Sequence, residues 1–328
     1  MLTLGEVHTG LLGNRASVAQ HLATQMLSLQ LGERVRRSER PIVYVVSPEL
    51  LTGVDCRLAT SSGARVRGIG TAVSRAAITG GHVLQGSTYA LIVKSDADRR
   101  LPWSHYLSRP GIIETLGKTD SADLAGGFLT AKQAPISLDL GAISSRVMDM
   151  VQRSPDLDRA PPFRMTRTRL RWVVVVDSAQ HAGSRARFTI DSPTVRTLRL
   201  TVVEDDLTAA VELCEDLALH DWLLTALLET IERSRVGDSP RPQVVDKLRP
   251  AIDYLLHLWM PAARLKESML PLWGSLEQQP GFTKQWEASV SRIRDQVALS
   301  TIAQLSAITE KTREEHDQKG GTDPCNRT

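Results

Sequence analysis

The first residues, LTLGEVHTGLL (2–12), alternate well enough for a strand, and Asn14 stands where a cap would start a helix over roughly 16–31. A short buried strand, PIVYVVS (41–47), is closed by Pro48. From Ala64 to Lys94 the residues are β-branched or small and punctuated by glycine. That pattern predicts two or three strands with Gly80-Gly81 as a turn. Residues 101–153 switch to short helical pieces, and the proline-rich RSPDLDRAPPF (153–163) reads as a linker or long loop. Three strand-like runs follow, at 167–177, 184–191 and 194–204, joined by the short SAQHAG and SP. Connections that short predict an antiparallel meander.

From Asp205 to about Glu310 the pattern is helical. Val244, Val245, Leu248, Ile252, Leu255, Leu256 and Trp259 mark one helix face, which Pro261 breaks. Phe282, Trp286, Val290, Ile293 and Val297 mark another. The expected fold class is therefore α+β: a strand-rich N-terminal part with short helices, an antiparallel three-strand meander, and an all-helical C-terminal domain. The expected boundaries are 1–155 for the first domain, 164–312 for meander plus helices, and 313–328 for a charged, disordered tail.

Composition changes this picture little. At 41% hydrophobic and 23% charged residues, the 328-residue chain has the balance of a folded protein, and a net charge of +3 gives no global pull toward nucleic acid or acidic lipid. Of the 40 basic residues 32 are arginine and 8 lysine, a bias of GC-rich codon usage that makes arginine counts weak testimony. Cys56, Cys214 and Cys325 are far apart and form no CxxC pair, which suits a reducing compartment. MLTLGEVHTG lacks a signal-peptide pattern, and Ala76 to Val93 is too polar and glycine-rich to span a membrane. A cytoplasmic location without membrane contact is expected.

One stretch invites a sharper reading. GIIETLGKT (111–119), followed some fifty residues later by RWVVVVD, imitates the Walker motifs of a nucleotide hydrolase. A phosphate-binding loop needs G-x-x-x-x-G-K-[ST], because its backbone amides must curl around the phosphates. Here Gly111 stands one position too far from Gly117, and Ile112 fills the glycine slot with a clashing Cβ. Arg167, Arg169 and Arg171 leading into Val173 and Val175 predict a strand with one polar, exposed face. A Walker B strand is apolar on both faces. Asp120 as N-cap and Asp123 in the first turn predict an ordinary helix start after Lys118.

Other catalytic signatures are missing: G-x-S-x-G, S-x-x-K, HExxH and a G-x-G-x-x-G that opens a helix. Glu212, Asp216 and His220, four apart, share a helix face that suits a divalent ion, but a solvated acidic face is the commoner outcome. His82 and His105, with Trp103 and Tyr106, are the best candidates for an unconventional enzyme pocket. No catalytic residue, cofactor or metal ligand is assigned from the sequence.

Charge segregation is the strongest physical signal. Between Arg146 and Arg199 there are eleven arginines, no lysine and five acids. Strand periodicity puts Arg169 and Arg171 on one face, Arg185 and Arg187 on one face of the next strand, and Arg199 with them if the register matches. Such a basic face suits phosphate, but Trp172 and Phe188 point the other way, so stacking platforms for bases are missing. The next segment carries Glu204, Asp205, Asp206, Glu212, Glu215, Asp216 and Asp221, with no lysine or arginine between Arg199 and Arg233. The expected partner of the arginine face is that acidic helix, in this chain or in a neighbouring copy. Nucleic acid is disfavoured.

The stretches RVRRSERPIVYVVSPELLTGVDC and TGGHVLQGSTYALIVKSDADRRLPWSHYLSRPGIIE resemble a family of uncharacterised proteins from Streptomyces and related actinomycetes. The likeness covers most of the first 115 residues and continues more loosely through RLRWVVVVD. In that family the genes tend to lie beside those of a P-loop-type protein and a methyltransferase-like protein. The resemblance implies a role in a multi-protein system, with any nucleotide chemistry on a neighbour, and brings no site residues with it. The expected function is a non-enzymatic protein-interaction or assembly component, with oligomers allowed. The alternatives are an enzyme with a non-standard pocket and a nucleic-acid accessory protein.

Overall fold

The opening run becomes β1 (Leu2–Leu11), and it lies inside a ten-stranded mixed sheet rather than at its edge. The computed structural model describes residues 1–97, 99–130, 137–176, 184–203, 206–234 and 241–320, without the side chains of 241–243 and 314–320, and the chain is α+β. The strands after β1 are β2 (Arg36–Ser38), β3 (Tyr44–Val46), β4 (Leu50–Leu58), β5 (Val66–Thr79), β6 (Val83–Lys94), β7 (Ile112–Leu116), β8 (Thr168–Val176), β9 (Arg185–Ile190) and β10 (Val195–Val202). Their order is β2-β3-β5-β7-β6-β1-β8-β10-β9, with β4 also paired to β5. Gly80 and Gly81, at φ +59° and +69°, make the left-handed turn between β5 and β6, as the sequence predicts.

The helices are α1 (Gln20–Met26), α2 (Trp103–Leu107), α3 (Ser121–Thr130), α4 (Leu140–Gln152), α5 (Leu207–Ser234), α6 (Arg241–Tyr254), α7 (Leu270–Gln278) and α8 (Phe282–Gly320). By contacts the chain divides into two units. The first holds Met1–Leu223 and His257–Phe282, so the whole sheet belongs to it. Its residues 153–163 lie inside this unit and mark no boundary. Arg15 and Asn14 both bond Asp158 there.

One sheet face packs on α1, α3 and α4. Leu4, Ala72, Ala90, Ile92, Val173, Leu124, Phe128 and Leu140 form one apolar cluster under α3, and Ala76, Ile78, Leu84, Met148 and Val151 belong to a second under α4. Helix α4 approaches so closely that a Cβ on Gly86 of β6 would stand 2.3 Å from the Ser144 carbonyl oxygen. The opposite face carries Arg75, Gln85, Trp172, Arg196 and Leu198. It bonds the first part of α5 through Arg75–Glu215, Gln85 to the Glu215 carbonyl, and Arg196–Asp221.

The second unit, Leu224–Leu256 and Thr283 onward, is helical in its described residues. Leu227, Ile231, Val244, Leu248, Leu255, Trp286 and Ile293 are buried, whereas Leu299, Ile302, Leu305 and Ile308 on α8 are exposed. Helix α8 continues to Gly320, into the stretch expected to be a loose tail, and 321–328 lie outside the described residues.

Four local expectations need correction. The helix expected over 16–31 spans only 20–26, because the Val18 N–H is bound to Gly81 O and Asn14 bonds Ala16 O and the Asp158 N–H. Strands β4 and β7 replace an unassigned stretch and a supposedly helical one. The three-strand antiparallel meander is not formed: β10, not β9, sits beside β8, and runs parallel to it. The physical reason is polarity. Strand β10 buries Arg196, Leu198, Leu200 and Val202, while β9 exposes Arg185, Arg187, Thr189 and Ile190, so the more polar strand takes the edge. Finally, β8 is not half-exposed, since the face bearing Arg169 and Arg171 is covered.

Candidate functional site

Register places all five predicted arginines on the face that packs on α3 and α4. Arg199 of β10 is opposite Val173 of β8 and Arg187 of β9, so Arg169, Arg171, Arg185, Arg187 and Arg199 point the same way. Their fates differ. Arg169 and Arg171 turn onto Glu6 of β1, whose carboxylate is 1% exposed and accepts from Arg169 Nε at 2.5 Å and Arg171 Nε at 3.1 Å. Arg171 Nη1 also donates to Phe128 O, and its guanidinium lies 5.4 Å from the Phe128 ring. These two arginines are a buried structural cluster.

Arg185, Arg187 and Arg199 are exposed at the outer edge and make no ion pair among the described residues. The expectation that the acidic helix of the same chain neutralises them is corrected. Helix α5 lies on the opposite face, where Glu215 and Asp221 take Arg75 and Arg196 instead. The signal that reveals the first of those pairs is a lone arginine in an otherwise apolar stretch of strand, since a buried charge requires a partner. Arg75 in TAVSRAAIT is one.

The Arg75–Glu215 pair is bidentate, Nε to Oε1 at 2.8 Å and Nη2 to Oε2 at 2.7 Å, with side chains 5% and 6% exposed. It borders a cavity of about 330 Å³ between the β2–β3 hairpin, α5 and the loop at 263–265. Tyr44 from β3 lines the cavity, and the Arg264 guanidinium stacks 3.9 Å from the centre of its ring. Burial, then the nearby Glu215 charge, pushes the Tyr44 phenol up to about 12, so it remains a neutral hydrogen-bond donor. Asp216 is spoken for: it accepts from Arg264 Nη2 at 3.2 Å and Ala262 N at 3.1 Å and lies 3.4 Å from His220 Nδ1. Arg36, Arg37 and Arg40 complete the rim, exposed and without an ion pair among the described residues.

The Glu212, Asp216, His220 row does not gather into a metal centre. No group of three potential ligands converges among the described residues. Of the four residues of the unconventional pocket, Trp103, His105 and Tyr106 of α2 pack together, with the Trp103 and His105 rings 5.8 and 5.1 Å from that of Tyr106, but His82 stands apart. Trp103 of α2 overlies Gly53, which pairs with Thr71, whereas His82 lies in the turn after Thr79. Eight residues of strand separate those ends, roughly 26 Å. His105 binds Glu114 Oε1 at 2.7 Å, beside Arg109 on the same oxygen, and Ser95 donates to Oε2. Burial pushes the Glu114 carboxyl up, but the hydrogen bonds from His105 and Ser95, with the charges of His105 and Arg109, outweigh it and hold it below the usual range.

At the Walker-like stretch, residues 112–116 are β7, paired on both sides. The start of α3 is filled by its own carboxylates: Asp120 accepts from Asp123 N, and Asp123 accepts from Ser61 and Ser62.

His8 donates from Nδ1 to Ser144 Oγ at 2.7 Å, because that hydroxyl is committed to Gly141 O. Burial, then the charges of Arg169 and Arg167, pushes its pKa down to about 4, with Asp139 and Asp149 opposing weakly. The folded state thus holds a neutral imidazole that the unfolded chain would protonate below 6.5. Its stabilising contribution is complete above pH 6.5 and is lost as pH falls toward 4. After discount for partial exposure this is about 1–2 kcal/mol. Melting curves of wild type and His8→Gln should diverge by that amount across this window. Parallel curves would show that the ring titrates freely in the fold.

The chain matches no protein-family model, no curated protein and no solved structure. Among the described residues no helix is long and apolar enough to cross a membrane.

Proposed function

We propose that the protein is a non-enzymatic assembly component that binds an acidic surface of a partner protein through Arg185, Arg187 and Arg199. The observation that carries this reading is the direct opposition of Arg187 and Arg199 on adjacent strands, with Arg185 next along β9. Like charges placed opposite one another destabilise a sheet, and no carboxylate among the described residues relieves them. An anionic partner would. A protein partner is favoured over nucleic acid because the neighbours on this face are Thr189, Thr197 and Thr201, while Phe188 packs on Phe282 at 5.2 Å on the other side. The resemblance to the actinomycete proteins supports a source for that partner: the products of adjacent genes.

The test uses Arg187→Glu, which turns the repulsion into a cross-strand ion pair. This variant should be more stable than wild type by about 0.2–1 kcal/mol, yet lose at least tenfold in affinity for the co-purified neighbour-encoded partner. Unchanged capture would sink the reading. So would tight, salt-sensitive binding of RNA or DNA oligonucleotides by the wild type that the variant abolishes.

A further inference from the structure

The cavity beside the Arg75–Glu215 pair is independent of the arginine edge, and its charge is unbalanced. Five guanidinium groups and three carboxylates line it. Glu215 is consumed by Arg75, and Asp216 by Arg264 and His220. Against Arg36, Arg37 and Arg40 there remains, among the described residues that line the cavity, only Glu212. The unpaired arginines therefore face a recess whose own acids are mostly used up.

The recess also has a fixed interior. Arg264 is held at one end by Asp216 and stacked on Tyr44, so its orientation is set before any ligand arrives. Arg75 is locked by two short bonds. The rim arginines, by contrast, are exposed and make no ion pair among the described residues. A preformed floor under uncompensated cations is an arrangement for capturing an anion. A volume of about 330 Å³ admits a small molecule but not a folded chain.

We infer that this cavity is a binding site for a small multivalent phosphate compound, gripped by Arg36, Arg37 and Arg40. A phosphate group offers several oxygens and more than one negative charge to the planar forks of several arginines at once. A single carboxylate would leave the rim with excess positive charge. Pro41, Val46 and Leu265 supply an apolar wall for the organic part of such a ligand.

Calorimetry with inorganic pyrophosphate as probe tests this. Wild type should bind it at one saturable site, and Arg36→Gln/Arg40→Gln should weaken binding at least tenfold. Both residues are exposed, so the variant should melt as wild type does. Arg185→Gln/Arg187→Gln removes equal charge at the sheet edge and should leave pyrophosphate affinity within twofold, which separates this site from the protein-binding edge. Absence of saturable binding, or an equal loss in both variants, would overturn the proposal. Tighter binding of citrate than of pyrophosphate would overturn the phosphate class.

Discussion

Glu6→Gln is expected to lower the unfolding free energy by about 3–5 kcal/mol, the range for breaking a buried ion pair from one side. The carboxylate is 1% exposed and serves two guanidinium groups, whose side chains are 16% and 10% exposed. Glutamine keeps the shape but removes the charge that Arg169 and Arg171 share, so both guanidinium groups lose their common carboxylate. Arg169 retains only a distant contact, 4.0 Å, with Asp139, and Arg171 retains Phe128 O. Urea titration followed by tryptophan fluorescence reads the loss. A change below about 1 kcal/mol would mean that water reaches the cluster and screens it. Replacing all three residues together (Glu6→Leu, Arg169→Leu, Arg171→Met) should restore most of the stability, because matched removal of buried charges is close to neutral.

The other large effect belongs to Gly86→Ala, expected to cost about 3 kcal/mol, the upper part of the range for overpacking. The added Cβ would sit 2.3 Å from the Ser144 carbonyl oxygen and 2.7 Å from Met148 Cγ. The methionine can swing away, but the carbonyl belongs to the backbone of α4, so the helix itself must lift. Lifting α4 also draws Ser144 Oγ away from His8 and loosens Met148 and Val151 in the core. Thermal melting of the variant checks the magnitude. A near-wild-type midpoint would show that α4 slides over β6 without penalty.

Much of the first unit was legible in local pattern. Alternation located β1, and paired glycines located the β5–β6 turn. Asp120 and Asp123 marked the start of α3. The Walker imitation failed for reasons the fold shares, since Ile112 lies in a paired strand. What could not be read was partnership. Period two tells which residues share a face of one strand, not which strand comes next, so the parallel pairing of β8 with β10 was hidden. Glu6 and Arg171 are 165 residues apart, and Arg75 and Glu215 are 140 apart. The segregation of arginines and acids pointed to α5 as the partner of the Arg169, Arg171, Arg185, Arg187 and Arg199 face, whereas in the fold α5 takes Arg75 and Arg196 from the other side of the sheet. Strand β7 was missed because IIETL is short and sits between helical pieces.

The buried charges carry a further consequence for how the chain finds its alignment. Most inward positions of β1, β5, β6 and β8 are Val, Leu, Ile, Ala, Thr or Ser, side chains that tolerate exchange with their neighbours. A slip of one residue would keep such positions roughly content. It would also rotate Glu6 to the α5 face, away from both of its arginines, and shifting β5 would turn Arg75 away from Glu215. Each lone ionic residue thus works like the notch on a key. Mispaired sheets are rejected by stranded charge as well as by the close packing at Gly5 and Gly86, and one alignment is left in which every tooth meets its ward.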